Sequence, residues 1–374
     1  MDTLIKNKLT QLFKDYVPSS DLDDLHDEMY DDLFESANDI KHTEQLSDQE
    51  SVVKAFQQMG DLADVIAKTG TKKSSHSFAF EFVFDSKKQQ KIIYEDDFSL
   101  EKIDQIDMSF KSDAVRIVST SSEKLKVTQY AKTNLLNEPL VQVSRKNSRL
   151  TLLLPENHHI TIGLFASDLQ QPKLLIELPQ RFTGQLNTRF SSGSLRLSNL
   201  QNKLSSEAHF TSGLLQIDKC FFSNFNSIFS SGSVKIKQSS FENSNTNFSS
   251  GSIRLKDVEG RYAIQGSSGS IHLDNVIGAG SATIRSGSVH ASFQKVTDDL
   301  NFSAASGSLK IHLPHEDQFS FKLASRSGSV KIRDNFNAEI NFDIDSNSGK
   351  LGSVGDPTQY RVSAQTASGS AVID

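Results

Sequence analysis

A Ser-Gly pair recurs at nearly fixed intervals through the second half of the chain, and it constrains the fold more than any other feature. From one glycine to the next the intervals are 18 to 21 residues. Periods of this length are typical of solenoid repeats, in which a unit buries its apolar face only against its neighbours. Serine precedes the glycine in all ten units. The ten glycines are Gly193, Gly213, Gly232, Gly251, Gly269, Gly287, Gly307, Gly328, Gly349 and Gly369.

Apolar residues alternate with polar ones after each glycine. The residue two positions on is apolar in every unit, and the residue four positions on is apolar in nine of ten. This alternation is typical of a half-buried strand, so the intervening Arg196, Lys235, Lys310 and Lys331 should face water. A second alternating segment precedes the glycine, most clearly at 340–344. Each unit is therefore predicted to be a strand, a corner and a strand, with glycine at the corner because its backbone tolerates positive φ and close approach.

A unit of twenty residues spans about 66 Å when extended, which is enough for one coil of short strands and turns. We therefore predict a mainly β fold: a single-stranded β-solenoid, or β-helix, of about ten Ser-Gly repeats. Aromatic residues stand three positions before the glycine in the first four units, and stacked coils would align them in an internal ladder; an aromatic ligand site is the alternative. They are Phe190, Phe210, Phe229 and Phe248.

The charge of the chain is unevenly distributed. Residues 1–70 contain 6 Lys and no Arg against 16 Asp and Glu, a balance of -10, whereas the whole chain carries -6. The remaining residues therefore balance at +4. This asymmetry predicts a module boundary near Gly70 and argues against an extended nucleic-acid footprint at either end.

The acidic segment shows helical periodicity. Apolar residues spaced by three and four predict helices over 4–16 and 20–40, and a capping box at Ser47–Glu50 predicts the start of a third helix, followed by a short fourth. We expect a small all-α module at 1–67, a linker at 68–77, a β-rich leading and capping region at 78–190, and repeats at 191–374. The acidic residues suit a solvated helix face; a metal site is the alternative, but no EF-hand spacing occurs.

Two resemblances to known families follow from these residues. The acidic run, the capping box and the sequence Gln58-Met59-Gly60-Asp61-Leu62-Ala63 resemble the small bacterial HAAS signalling domain, although Leu62 stands where that family has Pro. The resemblance implies contacts with another protein and no chemistry.

The second resemblance covers residues from about Leu100 to Asp374. The Ser-Gly units, together with 100–107 and 174–179, are similar to the bacterial putative-adhesin β-strand-repeat family. Many of its members have Asp after the glycine where this chain has Ser. Members with a helical head joined to such repeats are linked to the Gram-positive cell-envelope stress response, so the resemblance implies a role of that kind.

We predict no catalytic, cofactor-binding or metal site, and no enzyme activity. The nucleophile elbow, the P-loop, Gly-x-Gly-x-x-Gly and His-Glu-x-x-His are absent from the sequence. Polysaccharide-degrading β-helices stack carboxylates on consecutive coils, but here the candidate aspartates do not form a sustained row. His158 and His159 are interpreted as loop histidines, and Cys220 as a small buried hydrophobe. The candidate aspartates are Asp218, Asp257, Asp274 and Asp334.

Two features of the repeats are candidate contact sites. The Ser-Gly-Ser row could present hydroxyl groups to a carbohydrate, although a corner ladder that satisfies its own backbone is the simpler interpretation. The last strand, which comprises Ser370, Ala371, Val372 and Ile373, ends the sequence without a following cap. We expect it to be an exposed edge that self-associates or accepts a partner strand, giving a homo-oligomer through the C-terminal coil.

The sequence therefore predicts a non-enzymatic binding or regulatory protein of the cell-envelope stress response. The solenoid would be the interaction surface for a cell-wall or envelope ligand, and the helical head would contact another protein, such as a membrane-bound regulator. A surface adhesin or carbohydrate-binding β-helix is the alternative, and an enzyme of polysaccharide metabolism is the third. Because no signal peptide and no transmembrane segment is recognisable, we expect a cytoplasmic location, with peripheral membrane attachment as a variant.

Overall fold

A computed structural model describes most of the chain and divides it into two compact units. The described residues are 2–14, 16, 25–26, 29–30, 32–34, 36–38, 40–41, 46–58, 62, 66, 90–132, 139–155, 173–356 and 360–374. Those up to 66 belong to the first unit, and those from 90 onward belong to the second. The predicted linker at 68–77 and both of its boundaries lie outside the described residues.

The first unit contains helices α1 (Asp2–Phe13) and α2 (Asp48–Gln58). The capping box is confirmed: the Ser47 amide donates to Glu50 Oε2 at 3.0 Å, and the Glu50 amide donates to Ser47 Oγ at 3.3 Å. These two bonds satisfy backbone donors that the first turn of a helix leaves without partners. The small core of this unit is formed by Ile5, Leu9, Tyr16, Met29, Leu33, Ala37, Ile40, Val52, Ala55, Leu62 and Ile66.

Leu4 and Val53 belong to the apolar patterns that predict the first and third helices, but 38% and 39% of their surface is exposed. The core-facing stripe over 20–40 agrees with the burial of Met29 and Leu33, whereas the ends of that segment are not described. None of the described helices has the length and apolar content that a membrane crossing requires.

Within its described residues, the second unit contains nineteen strands that pair into one open sheet. They are β1 (Gln90–Ser99), β2 (Gln105–Phe110), β3 (Ala114–Thr120), β4 (Lys124–Lys132), β5 (Gln142–Lys146), β6 (Arg149–Leu153), β7 (Leu174–Pro179), β8 (Gln185–Phe190), β9 (Ser194–Ser198), β10 (Leu204–Phe210), β11 (Leu214–Asp218), β12 (Phe221–Phe229), β13 (Ser233–Lys237), β14 (Ser240–Lys256), β15 (Glu259–His312), β16 (Phe319–Ile332), β17 (Ile340–Asp345), β18 (Gly349–Val354) and β19 (Arg361–Ile373).

The predicted strand, corner, strand unit is confirmed as a coil of a parallel stack. β8 pairs with β10 in register, and β9 pairs with β11 in register, so the two halves of one coil lie on the two halves of the next. The same parallel pairing continues through β12, β13 and β14 into β15. The residue two positions after the glycine is buried in nine of the ten units, as the alternation predicted, and the exception is Leu351, which is 38% exposed. We call this parallel arrangement the coil stack.

The order of coils in space departs from their order in sequence at both ends. Near the N-terminal end, β2 and β3 pair with β8 and β9 on one side and with β6 and β7 on the other. At the other end β19 lies between β15 and β16 and is parallel to both. Antiparallel strands then cover each end of the stack: β4 and β5 on β7 and β6, and β18 followed by β17 on β16.

The prediction of ten successive coils therefore needs correction. Nine of the ten glycines stack in one row, in the spatial order Gly193, Gly213, Gly232, Gly251, Gly269, Gly287, Gly307, Gly369 and Gly328. Gly349 instead begins β18 and lies in the antiparallel hairpin with β17, where Ser346 Oγ accepts a hydrogen bond from its amide at 2.9 Å. The Ser-Gly signal at this position marks a hairpin turn.

The core of the coil stack contains the predicted aromatic ladder and extends it. The rings of Phe190 and Phe210 stack at 4.9 Å, and those of Phe210 and Phe229 stack at 5.4 Å. Phe110 adds a ring at 5.3 Å from Phe190, because β2 lies beside β8. Phe248 is in register with Phe229 and is also buried. The aromatic ladder is thus part of the core, as the simpler interpretation predicted.

Candidate functional site: the outward faces of the coil stack

The Ser-Gly corners form a ladder that satisfies its own backbone. At each corner the residue after the glycine donates its amide to the preceding corner glycine, as in Ser233 N to Gly213 O at 2.9 Å and Ser252 N to Gly232 O at 3.1 Å. Eight glycines of the row have φ between +114° and +136°, a region that L side chains rarely adopt. A Cβ on any of them from Gly213 onward would overlap the carbonyl oxygen of the neighbouring glycine. Glycine is therefore required there by conformation and by space.

Serine hydroxyls flank this ladder in two rows. The serines before the glycine form the outer row and are mostly exposed, and those after it form the inner row and are mostly half-buried. In the inner row Ser252 Oγ donates to Ser233 Oγ at 3.2 Å, so part of the hydroxyl array bonds within itself. The outer row leaves hydroxyl groups facing solvent along the corner edge.

The predicted partner edge at the end of the sequence is not an edge. Ser370, Ala371, Val372 and Ile373 pair with Ser308–Ile311 on one side and with Ser329–Ile332 on the other. Both sides of this strand are occupied because the chain returns to insert β19 between two coils formed earlier. This strand is therefore not the exposed edge that was predicted, whereas the homo-oligomer itself stays a prediction.

Cationic side chains line the outward face of the strands that follow the corners. We call the residues three positions after each corner the basic row. Six of its ten members are Lys or Arg, two are His, and none is acidic. In spatial order they are Arg116, Arg196, Gln216, Lys235, Arg254, His272, His290, Lys310, Val372 and Lys331.

The residues beside the basic row differ from it in charge. The row nearer the corner is the inner serine row. On the far side, two residues further along each strand, Asp218, Lys237, Lys256 and Asp274 succeed one another in register, so that two lysines lie between two carboxylates. Over the three rows together there are nine Lys or Arg side chains and three Asp side chains, a balance of 9 - 3 = +6. We call these three rows the basic face.

Two histidines in the middle of the basic row are held neutral. Burial lowers the pKa of His272 to about 4, and the charges of Arg254 and His290 act in the same direction. Burial also lowers the pKa of His290, with Lys310 adding to the effect and Asp274 opposing it. Their rings lie edge to face at 5.3 Å. The positive charge of the row at neutral pH therefore comes from its Lys and Arg residues.

The outward face of the strands before the corners is chemically different. Its side chains are mainly Asn, Gln, Ser and Thr, and we call it the amide face. Two shallow hollows of ≈ 500 and ≈ 510 Å³ lie on it. The first forms where the aromatic ladder ends, because the Phe248 ring covers Gly266 and small side chains follow. The second is bordered by Asn245, Tyr262 and the ion pair of Arg261 with Asp298 at 2.7 Å.

The residues singled out for chemistry are not brought together. Asp218 and Asp274 share a row but are separated by two lysine-bearing coils, and Asp257 lies at another corner, where its carboxylate accepts a hydrogen bond from Asn275. Within the part of the chain that the structure describes, no three metal-binding side chains cluster. Cys220 is buried, as predicted, and burial raises the pKa of its thiol to about 12. His158 and His159 lie outside the described residues.

Sequence reasoning identified four members of the basic row as solvent-facing but did not join them into one surface. Aligning every unit on its glycine and reading three residues on would have added Arg254, His272 and His290. Arg116 could not have been found in this way, because its corner has Asp113 in place of glycine, held by Lys173 at 3.0 Å. That coil becomes visible only through the pairing of β3 with β9.

Comparison with known families gives one match over most of the second unit. The family model described as Toastrack DUF4097 matches residues 103–373, which is well over half of the chain. The matched region contains every strand of the coil stack. Among curated proteins, none matches the chain significantly.

Two solved structures are similar to the chain at low identity. One is described as a putative cell adhesion protein from Clostridium sporogenes ATCC 15579; it has 12% identity and a TM-score of 0.27, and the match covers 76% of this chain and 99% of that one. The other is described as a putative adhesin from Bacteroides fragilis NCTC 9343; it has 13% identity and a TM-score of 0.39, and the match covers 76% of this chain and 97% of that one. At these scores the likenesses carry no argument about function.

Proposed function

The chain belongs to the Toastrack DUF4097 family, and from this premise we propose that it is a non-enzymatic binding protein of the bacterial cell-envelope stress response. The coil stack is its interaction surface for an envelope ligand. The acidic helical unit is the contact module for a protein partner such as a membrane-bound regulator. The protein works from the cytoplasm or from the periphery of the membrane.

One observation carries the proposal: the coil stack presents two long outward faces, one on which Lys or Arg recurs at six of the ten positions of the basic row and one on which Asn, Gln, Ser and Thr predominate. A surface that repeats in this way suits an extended or repetitive partner better than a compact small molecule. The antiparallel strands at both ends leave these faces as the extended surfaces of the second unit. The charge balance of -10 over residues 1–70 gives the first unit a different partner preference.

The proposal is tested by following the full-length protein in its bacterial host. Cytosol, membrane and cell wall are separated before and after treatment with an envelope-targeting antibiotic, and the protein is quantified in each fraction by antibody. We expect the membrane or wall fraction to gain protein on treatment. A translation-inhibiting antibiotic at equal growth inhibition is the control, and it should cause no such shift.

Two outcomes would overturn the proposal. A cytosolic pool that does not respond to either antibiotic would contradict both the proposed binding to the envelope and the proposed role in the stress response. A constant population on the outer surface, accessible to protease in intact cells with or without antibiotic, would instead favour the surface adhesin.

A further inference from the structure

The basic face concentrates positive charge on a chain whose net charge is negative. Its three rows carry +6, whereas the whole chain carries -6. Lys235 and Arg254 occupy directly paired positions on neighbouring coils. Like charges placed side by side on a sheet oppose folding. An anionic partner that binds across several coils would be attracted to this concentration of positive charge.

The geometry of the face suits groups that repeat along a line. Neighbouring coils are about 4.8 Å apart, so the ten positions of the basic row extend over about 43 Å. For most of the cations of the basic row, the residue two positions earlier on the strand is a serine of the inner row. Lys and Arg form charge-assisted hydrogen bonds with phosphate oxygens, and Ser hydroxyls donate to them as well. The face therefore offers the same pair of phosphate ligands on five coils of the stack, two of which, those of Lys235 and Arg254, are neighbours.

We propose that the basic face binds a linear polymer of phosphate or phosphodiester units that carries no nucleobases, laid along the axis of the coil stack. This deepens the proposed function, on which it rests, by naming the chemistry of the envelope ligand. Six of the nine cations of the basic face lie in one row, and four of these six are half-buried, so they match the charges of a single extended chain.

The surroundings of the row disfavour the other polyanionic surfaces. Peripheral attachment to a lipid surface uses large apolar side chains beside the cations. Among the described residues, the exposed large hydrophobic side chains are Leu4, Val53, Ile92, Leu140, Leu153, Ile228, Phe342, Ile344 and Leu351, none of which lies on the basic face. Single-stranded nucleic acids are bound largely by stacking on aromatic side chains, and the basic row contains none apart from its two histidines.

The test uses the full-length chain and inorganic polyphosphate of about 50 units as the probe, with affinity measured against salt concentration. We compare it with the triple variant Lys235→Gln, Arg254→Gln and Lys310→Gln. The control variant Asn226→Asp, Asn245→Asp and Asn301→Asp changes the net charge by the same amount on the same three coils, but on the amide face. Circular dichroism and urea unfolding establish that both variants fold.

We expect the basic-face variant to bind polyphosphate at least about tenfold more weakly at low salt, and its plot of log K against log [salt] to be shallower by about 2, since each lost contact with a flexible polyanion removes about 0.7. The amide-face variant should keep the affinity and slope of the parent within about twofold. Tripolyphosphate should bind far more weakly than the long chain, because it reaches few coils.

Equal losses in both variants would overturn the proposal, because they would show a general charge effect. Stronger binding to single-stranded DNA of equal charge, or to vesicles of anionic phospholipid, would overturn it in favour of those partners. The outcome is separable from the proposed function: a basic-face variant that still moves to the envelope on antibiotic treatment would sink this inference and leave the function standing. A parent chain that never moves there would sink the function, whatever it binds in solution.

Discussion

From Gly213 onward, each corner glycine of the coil stack touches the corner glycine of a neighbouring coil. This contact explains why the Ser-Gly pair is so regular: the carbonyl oxygen of one corner fills the space where the next would place a Cβ, and the backbone there adopts a positive φ. Gly349 is the exception, because the atoms nearest to a Cβ on it are 3.6 Å away or more and its φ is not in the positive region. The two environments give a matched pair of substitutions.

Gly251→Ala should destabilise the second unit by at least about 3 kcal/mol, because it combines a strained φ with overlap against Gly232 O. Gly349→Ala should change the stability by less than about 1 kcal/mol, since neither penalty applies. Urea unfolding followed by circular dichroism measures both. Equal effects at the two positions would contradict the glycine ladder.

His272 makes the folding stability of the second unit depend on pH, and the direction of this dependence follows from its pKa. Its pKa is lowered in the folded chain, so between the ordinary value of 6.5 and about 4 the unfolded chain binds more protons than the folded one. Stability contributed by the neutral ring is therefore complete above pH 6.5 and is lost as the pH falls toward 4. The charged or titratable groups around it are Arg254, His290 and Asp274.

We predict that His272→Gln reduces the fall in unfolding midpoint between pH 7 and pH 4.5, because Gln binds no proton. Urea unfolding of parent and variant at the two pH values measures this difference. His315→Gln is the control, since it replaces an exposed histidine that lies outside the basic row. A parent midpoint that does not respond to pH would show that the His272 ring is not held neutral by folding.

At the scale of strands, the sequence predicts individual elements well and their order poorly. The alternation after each glycine identified the interior residues of β9, β11 and β13, and the burial of Leu195, Leu215 and Val234 confirms it. The insertion of β19 between the Gly307 and Gly328 coils could not be predicted. Each unit carries the same pattern, so any two can pair in register, and the choice depends on the β17–β18 hairpin occupying the last position of the stack.

Engineered disulfides test this order. Ser308 and Ser370 are paired neighbours, as are Ser370 and Ser329, whereas Ser308 and Ser329 are separated by the strand between them. Neighbouring coils place Cα atoms about 4.8 Å apart, within disulfide range, and alternate coils place them about 9.6 Å apart, beyond it. We expect the double-cysteine variants Ser308→Cys/Ser370→Cys and Ser370→Cys/Ser329→Cys to form bonds under mild oxidation.

The variant Ser308→Cys/Ser329→Cys is the internal control and should remain reduced. Mass spectrometry of proteolysed, alkylated protein distinguishes the two states, and the buried native Cys220, whose thiol pKa is raised, should not interfere. A bond in the control variant alone would show that the coils stack in the order of the sequence.

At the scale of the whole molecule, the chain separates its charges and its chemistries. Residues 1–70 are acidic, the basic face is cationic, and the amide face is close to neutral. Composition predicted the first of these and not the other two, because the balance of +4 after residue 70 does not say which side chains share a face. That information came from the register of the coils, which aligns residues about twenty positions apart.

The central claim is that the coil stack is the surface that binds the envelope. Hydroxyl-radical footprinting of the full-length chain, mixed with purified bacterial cell walls and membranes and read by mass spectrometry, tests it most directly. The account predicts protection of outward side chains on one face over several successive coils, including those of Lys235, Arg254 and Lys310. Protection confined to α1 and α2 or to β17, or no protection at all, would contradict it.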